Sequence, residues 1–196
     1  RIISALEKLE GVLYMDLAVQ SMTPDVLKNI KRDNIRLDDF LGLTHAIKTA
    51  KVPTLSEIIL GLPGETKESH FDAINQLMMS EIEVIIPYTL MLLNGSELAT
   101  PVQREMWGFQ TKFRVLPRDF SRLKNGRKVI EIEEVVVASN TMSYEDYVQC
   151  RKMALLISIF NTVGFMAVLK LLLQNHIRPM DLFLILLEST NDLPEV

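Results

Sequence analysis

Glu57 stands at the head of an apolar run, Ile58-Ile59-Leu60, that stops abruptly at Gly61-Leu62-Pro63-Gly64. The run is too short for a helix and reads as a strand buried on both faces, closed by a tight turn. A carboxylate at the start of such a strand needs a partner, and in parallel α/β proteins ligands gather near strand ends. Two other strand ends look similar: Val19-Gln20-Ser21, and Leu92-Leu93-Asn94-Gly95-Ser96. In a parallel sheet the three would line one rim, where glycine turns let backbone come close to a ligand. Taken singly each is an ordinary turn; three in succession point to a binding site.

Other chemistries find little support. His45, His70 and His176 are scattered, with no His-x-x-x-His or Cys-x-x-Cys spacing, so the chain carries no metal signature. Cys150 falls on a predicted helix and reads as a packing residue. There is no Gly-x-Ser-x-Gly, Walker loop or Gly-x-Gly-x-x-Gly. Glu57 as a general base would need a nearby acid or electrophile, and none is evident.

The elements that must position these residues alternate along the first hundred positions. Val12 to Val19 reads as a strand following a helical tail over Ile2 to Leu9. Thr23-Pro24-Asp25 starts a helix to about Arg32, with proline at the first position and an acid beside the positive helix end. A second helix is expected over Leu37–Lys48, then a strand from Pro53 to Leu62. A helix from Thr66 to Ser80 follows, with Thr66 as N-cap and Ser69 three residues on. The strand Val84–Leu92 completes a β-α-β-α-β order, which predicts an α/β fold of parallel strands with right-handed crossovers. Beyond Glu97 the composition changes. Met106–Lys128 reads as basic, aromatic and irregular, and Val129–Ala138 as a polar-tinged strand or extended segment. Ser143 and Asp146 resemble a capping box opening a helical region that runs to Gln174, and a last helix is expected over Pro179–Leu187. The division implied is 1–100 and 101–196, the second part a mainly helical extension.

The 196 residues, 48% hydrophobic and 23% charged, suffice for one good core. A net charge of -4 offers no footprint for nucleic acid, although Arg114, Arg118, Arg122, Lys124, Arg127 and Lys128 cluster on what reads as a solvated loop. A single cysteine excludes an intrachain disulfide and fits a reducing cytoplasm. The apolar stretch 153–173 is long enough to span a bilayer. Asn161, Thr162, Gly164 and Lys170 within it favour a buried helix, or a pair broken near Asn161–Gly164, so no membrane span is expected. The chain opens at Arg1 without methionine, inside a helical pattern, and is read as a piece of a longer protein.

Four stretches in order resemble the radical S-adenosylmethionine (SAM) superfamily, in particular the group that carries a cobalamin-binding domain. Val19-Gln20-Ser21 with Leu27 to Arg32 is similar to that family's fourth strand and following helix. Glu57 to Thr66 is similar to its fifth strand and turn, with Glu57 where one form of the motif has glycine. Leu92 to Leu98 resembles the signal after the sixth strand, with Asn94 in place of proline. Val136-Val137 through Ser143–Tyr147 and Arg151 resembles the segment after the barrel.

The resemblance implies three parallel strands forming the second half of a radical SAM barrel, a partial (β/α) barrel. It also implies a SAM-binding enzyme that makes a 5′-deoxyadenosyl radical with a [4Fe-4S] cluster, and cobalamin as a further cofactor for methyl transfer. By position, Gln20, Ser21 and Arg32 would meet the amino-acid part and ribose of SAM, and Glu57 the ribose hydroxyls. Ile59 and Gly61 would flank the adenine, with Tyr88 and Leu90 offering backbone to its edge. A guanidinium suits a carboxylate and a carboxylate suits a diol. The cluster ligands, Cys-x-x-x-Cys-x-x-Cys, are not in this chain, so it should hold no cluster alone. A half barrel leaves a strand edge unpaired, so self-association there, or cover by the extension, is expected. A non-catalytic binding module and a (β/α) barrel enzyme of other chemistry stay open. The substrate is not legible.

Overall fold

The computed structural model describes residues 2–8, 12–34, 39, 42–43, 46–47, 49–50, 52–80, 82–160 and 163–190. The helix expected over 37–48 lies largely outside them. Three strands, β1 (Met15–Asp16), β2 (Thr54–Leu60) and β3 (Val84–Thr89), form a parallel sheet in that order. Between them run α2 (Pro24–Asn29) and α3 (Lys67–Met79), after a short α1 (Ile2–Glu7). The expected parallel α/β order is thus found. β1 is shorter than the apolar pattern suggested, yet the chain beyond it stays bonded to β2, with Leu17 N–H donating to Leu55 O at 2.8 Å.

α3 begins as its sequence requires. Thr66 accepts from the Ser69 amide, and Ser69 returns the bond to the Thr66 amide, so the capping box is complete. On β2, Thr54, Ser56, Ile58 and Leu60 are buried while Leu55, Glu57 and Ile59 are only half-buried. The strand expected to be buried on both faces is therefore covered on one. The helices of the main core gather on one side of the sheet, while on the other Ile59 packs against a smaller cluster of Val26 of α2, Leu62, Leu90 and Val136. The main core joins Ile58 and Ile85 from that face to Ile74, Leu77 and Met78 of α3. Met153 and Ile157 of α5 (Tyr144–Phe160) and Phe183 of α7 (Pro179–Ser189) complete it. Each such side chain contributes about 1.5–3 kcal/mol on leaving water. Phe183 meets Phe160 edge-on, with ring centroids 5.5 Å apart.

The extension departs from expectation in one large respect. Residues expected to be irregular supply β4 (Gln110–Arg122), which pairs in a long antiparallel hairpin with β5 (Lys128–Ala138), the segment expected to be a strand or extended, after a short α4 (Pro101–Trp107). The basic cluster therefore lies mostly on a hairpin rather than a loop, and Arg114 pairs with Glu133. Phe113/Val115 alternating with Lys112/Arg114, and Ile130/Ile132 with Glu131/Glu133, are the period-two signal that the basic composition obscured. The base of β5 adds to the end of the parallel sheet. Val136 N–H donates to Leu90 O at 3.0 Å, and Leu92 N–H to Glu134 O at 2.9 Å. The apolar stretch 153–173 is divided between α5 and α6 (Val163–Gln174). Among the described residues no helix is long and apolar enough to cross a membrane.

Candidate functional site

The uncovered face of the sheet gathers the polar groups. Parallel register pairs Glu57 with Ile86 and Ile59 with Tyr88, so Glu57 and Tyr88 lie on the same face of neighbouring strands. Asp16, paired with Leu55, joins them from β1. Tyr88 is 46% exposed on that face. Partial desolvation first, then the nearby Glu57 carboxylate, and lastly Asp16 hold the Tyr88 phenol above its ordinary pKa.

Gln20 bridges Ile58 of β2 in parallel register. Its backbone is held on both sides: its N–H donates to Glu57 O at 2.9 Å, and its carbonyl accepts from Ile59 N–H at 2.8 Å. Its φ is +59°, a left-handed conformation that costs a non-glycine residue on the order of 1 kcal/mol or more. The ladder bonds to β2 on either side maintain it. Its side chain has no hydrogen-bond partner among the described residues.

Other expected site residues are already occupied. Ser21 is fully buried, and its hydroxyl accepts from Thr23 N–H at 3.2 Å. Arg32 donates through Nη2 to Ala18 O at 2.7 Å and through Nε to Asn34 Oδ1 at 3.0 Å. Asn34 in turn donates to the carbonyls of Val19 and Ser21, both at 2.8 Å. These two side chains cap the outer edge of the first strand's continuation, backbone that would otherwise invite another strand. Arg32, Asp33 and Asn34 also line two adjoining grooves of about 760 and 210 Å³. Leu90 uses its N–H toward Leu60 O and its carbonyl toward Val136 N–H. Gly61, at φ +88°, is buried under the hairpin base, with Val136 close above it.

The turn after β2 rests on a buried pair that the sequence reading passed over. Glu65 Oε2 accepts from Gly61 N–H at 2.7 Å, and Glu65 Oε1 lies 3.1 Å from Nδ1 of His70 on α3. Both side chains are 1% exposed. Thr141 donates to Glu65 O at 2.8 Å, tying the turn to the segment before α5. Asn29 of α2 donates to Pro63 O at 3.0 Å, and a side chain at Gly64 would strike that same amide at 2.7 Å. Gly64 also has a positive φ of 84°, so glycine is required there twice over. The one available signal was position: an acid directly after Gly-Leu-Pro-Gly, with a histidine one turn into the helix. Cys150 is buried nearby, and burial first, then Glu65, push its thiol up to about 12.

No family model matches the chain. It is 33% identical over 136 residues to the cobalamin-dependent radical SAM methyltransferase TokK of Streptomyces tokunonensis, which covers 68% of this chain and 19% of TokK. It is 32% identical over 137 residues to the 2-(S-pantetheinyl)-carbapenam-3-carboxylate methyltransferase of Streptantibioticus cattleyicolor, covering 68% of this chain and 20% of that protein. Among solved structures it matches the radical SAM methyltransferase TsrM of Kitasatospora setae, determined with tryptophan and a SAM analogue. That match has 15% identity and a TM-score of 0.40, over 62% of this chain and 27% of that one. The chain spans about a fifth of the length of the curated relatives it matches. Over that span it is a homologue of the cobalamin-dependent radical SAM methyltransferases.

Proposed function

We propose that this chain supplies the SAM-binding half of a partial (β/α) barrel in a cobalamin-dependent radical SAM methyltransferase. The observation that carries the reading is the one-sided cover of a parallel sheet. The core helices fill one face, the other presents Glu57 and Tyr88, and the Gln20 backbone bonds to β2 on either side of Ile58. In a barrel that face is the interior, where ligands sit at the strand ends. The identity to methyltransferase relatives supports the same reading.

The residues fit SAM in part. Glu57 offers acceptor oxygens to a ribose diol, Gln20 has a free side-chain amide, and Ile59 gives an apolar wall for adenine. Arg32 and Ser21 brace the strand end, so their part is to hold Gln20 in place. SAM, when bound, would supply the methyl group and the adenosyl carbon. The residues do not fit the iron–sulfur cluster. The chain's single cysteine is fully buried with its thiol pushed up to about 12, and among the described residues no three His, Cys, Asp or Glu side chains could hold a metal ion. The thiolates must come from elsewhere, so alone this chain binds and does not cleave. A reducing cytoplasm suits both that cluster and a lone thiol. A further strand, from another segment or a second copy, would complete the sheet along Met15–Asp16, before the backbone that Arg32 and Asn34 cap.

Isothermal titration of the purified chain with SAM tests this directly. Binding that weakens about tenfold in Glu57→Gln is expected, the loss of one hydrogen bond to a charged group. No binding by the unaltered chain would overturn the reading.

A further inference from the structure

We infer that the β4–β5 hairpin is a dimerisation surface. Its apolar face packs against the same face of a second copy of this chain, the two hairpins running in opposite directions. The surface uses none of the residues assigned to SAM.

The register of the hairpin sets Phe113 opposite Glu134, Val115 opposite Ile132 and Phe120 opposite Ile130. Side chains directly opposite in an antiparallel pair share a face, and alternation along β5 puts Ile130 and Ile132 on the same one. All five apolar side chains are more than half exposed, from 54% at Val115 to 66% at Phe113 and Phe120. The other face is mostly polar: Arg114 pairs with Glu133 there, beside Lys112, Ser121 and Glu131. Toward the tip the apolar rows end in Arg122 opposite Lys128, both exposed and on the face of Phe120 and Ile130. Side chains of this size leave on the order of 500 Å² of apolar surface in water, at the top of what a monomer shows in one patch.

Area, charge and symmetry select a second copy as the occupant. Two such faces in contact bury on the order of 1,000 Å², the lower bound for a specific interface, so the dimer is a weak one. Sheets stack about 10 Å apart with their inner side chains interdigitated, and five large side chains from each copy fill that layer. Residues 110–138 hold seven Lys/Arg and four Asp/Glu in a chain of net charge -4, which gives +3 there and -7 elsewhere. The acidic remainder disfavours nucleic acid or an anionic bilayer and attracts the basic hairpin of another copy. A two-fold interface needs a self-complementary patch. With the hairpins running the same way, the Arg122/Lys128 rows of both copies would oppose each other. Running in opposite directions, each row meets the Phe113/Glu134 end of the other copy, where a cation finds an aromatic ring and a carboxylate.

Sedimentation equilibrium of the purified chain tests the inference, with a dimer Kd on the order of 10–100 µM expected for an interface of this size. Ile132→Lys sets a cation in the middle of the apolar face and should weaken the dimer at least about tenfold. Circular dichroism checks that this variant folds, and Phe113→Ser serves as the second probe if it does not. Glu131→Lys, on the opposite face, should leave the Kd within about twofold. A spin label on Lys124→Cys near the tip reads the direction, because the native Cys150 is fully buried. Opposed hairpins hold the two labels more than about 30 Å apart, whereas hairpins running the same way bring them within about 20 Å. A chain still monomeric at about 300 µM would overturn the proposal, as would a dimer that neither apolar-face variant weakens. Labels at the short distance would overturn it too. So would binding to phosphatidylglycerol vesicles without self-association, which would assign the face to lipid.

Discussion

Glu65 shows how much of this site is held by residues that touch no ligand. One carboxylate oxygen takes the Gly61 amide and the other faces His70, both in full burial. Removing Glu65 leaves the Gly61 N–H and the His70 ring nitrogen buried and unmatched, which costs about 1–3 kcal/mol for each. Urea unfolding of Glu65→Ala should show a loss of that size, whereas Glu68→Ala, exposed one helical turn away, should change stability by less than about 0.5 kcal/mol. Cys150 gives a second check. With its thiol pushed up to about 12 by burial and by Glu65, it should resist Ellman's reagent at pH 8 in the folded chain. It should react fully in denaturant, and rapid reaction under native conditions would contradict the packing described. The sequence made Cys150 legible as a packing residue because an apolar helix face surrounds it. Glu65 and His70 were not legible as a pair, because their contact needs the turn to fold Gly61 back over the first turn of α3.

At the scale of elements, period and capping were readable and composition misled. β2, β3 and α3 stand within a few residues of their expected limits because Ile58-Ile59-Leu60, the glycine turn and Thr66/Ser69 agree with one another. The first strand of the hairpin was hidden because lysine and arginine alternate with Phe113 and Val115, themselves exposed, so it lacks the hydrophobic run that marks a core strand. The base of the hairpin is fixed electrostatically. Arg104 of α4 makes two bonds to Glu134 of β5, at 2.6 and 2.7 Å, and Thr111 adds a third at 2.6 Å. Arg104 first, then Thr111, bring the Glu134 carboxyl down to about 2 from its ordinary 4.5. A depressed carboxyl stabilises the fold above the ordinary value and loses that contribution as pH falls toward the depressed one. The gap in stability between the unaltered chain and Glu134→Gln should therefore be about 1 kcal/mol at pH 6, and should close between pH 4.5 and 2. Denaturant melts across that range would read it. A gap that stays constant with pH would contradict the pairing.

For the whole molecule, the central claim is that the half-covered face of the parallel sheet is a SAM site. The sequence carried the claim through three strand ends and a family resemblance. The structure narrows it. Glu57, Ile59 and Tyr88 share one face of neighbouring strands and the Gln20 backbone bonds between Glu57 and Ile59, while Ser21, Arg32, Gly61 and Leu90 are committed to packing or backbone bonds. That distinction between contact and support could not be read from a one-dimensional motif, in which both kinds of residue are equally polar or equally glycine-like. The most direct measurement is a 15N chemical-shift titration of the chain with SAM. The amides of Gln20, Glu57, Ile59 and Tyr88 should shift together and saturate, with the turn at Gly61 following more weakly. Shifts confined to the helical side of the sheet, or none at saturating SAM, would contradict the claim.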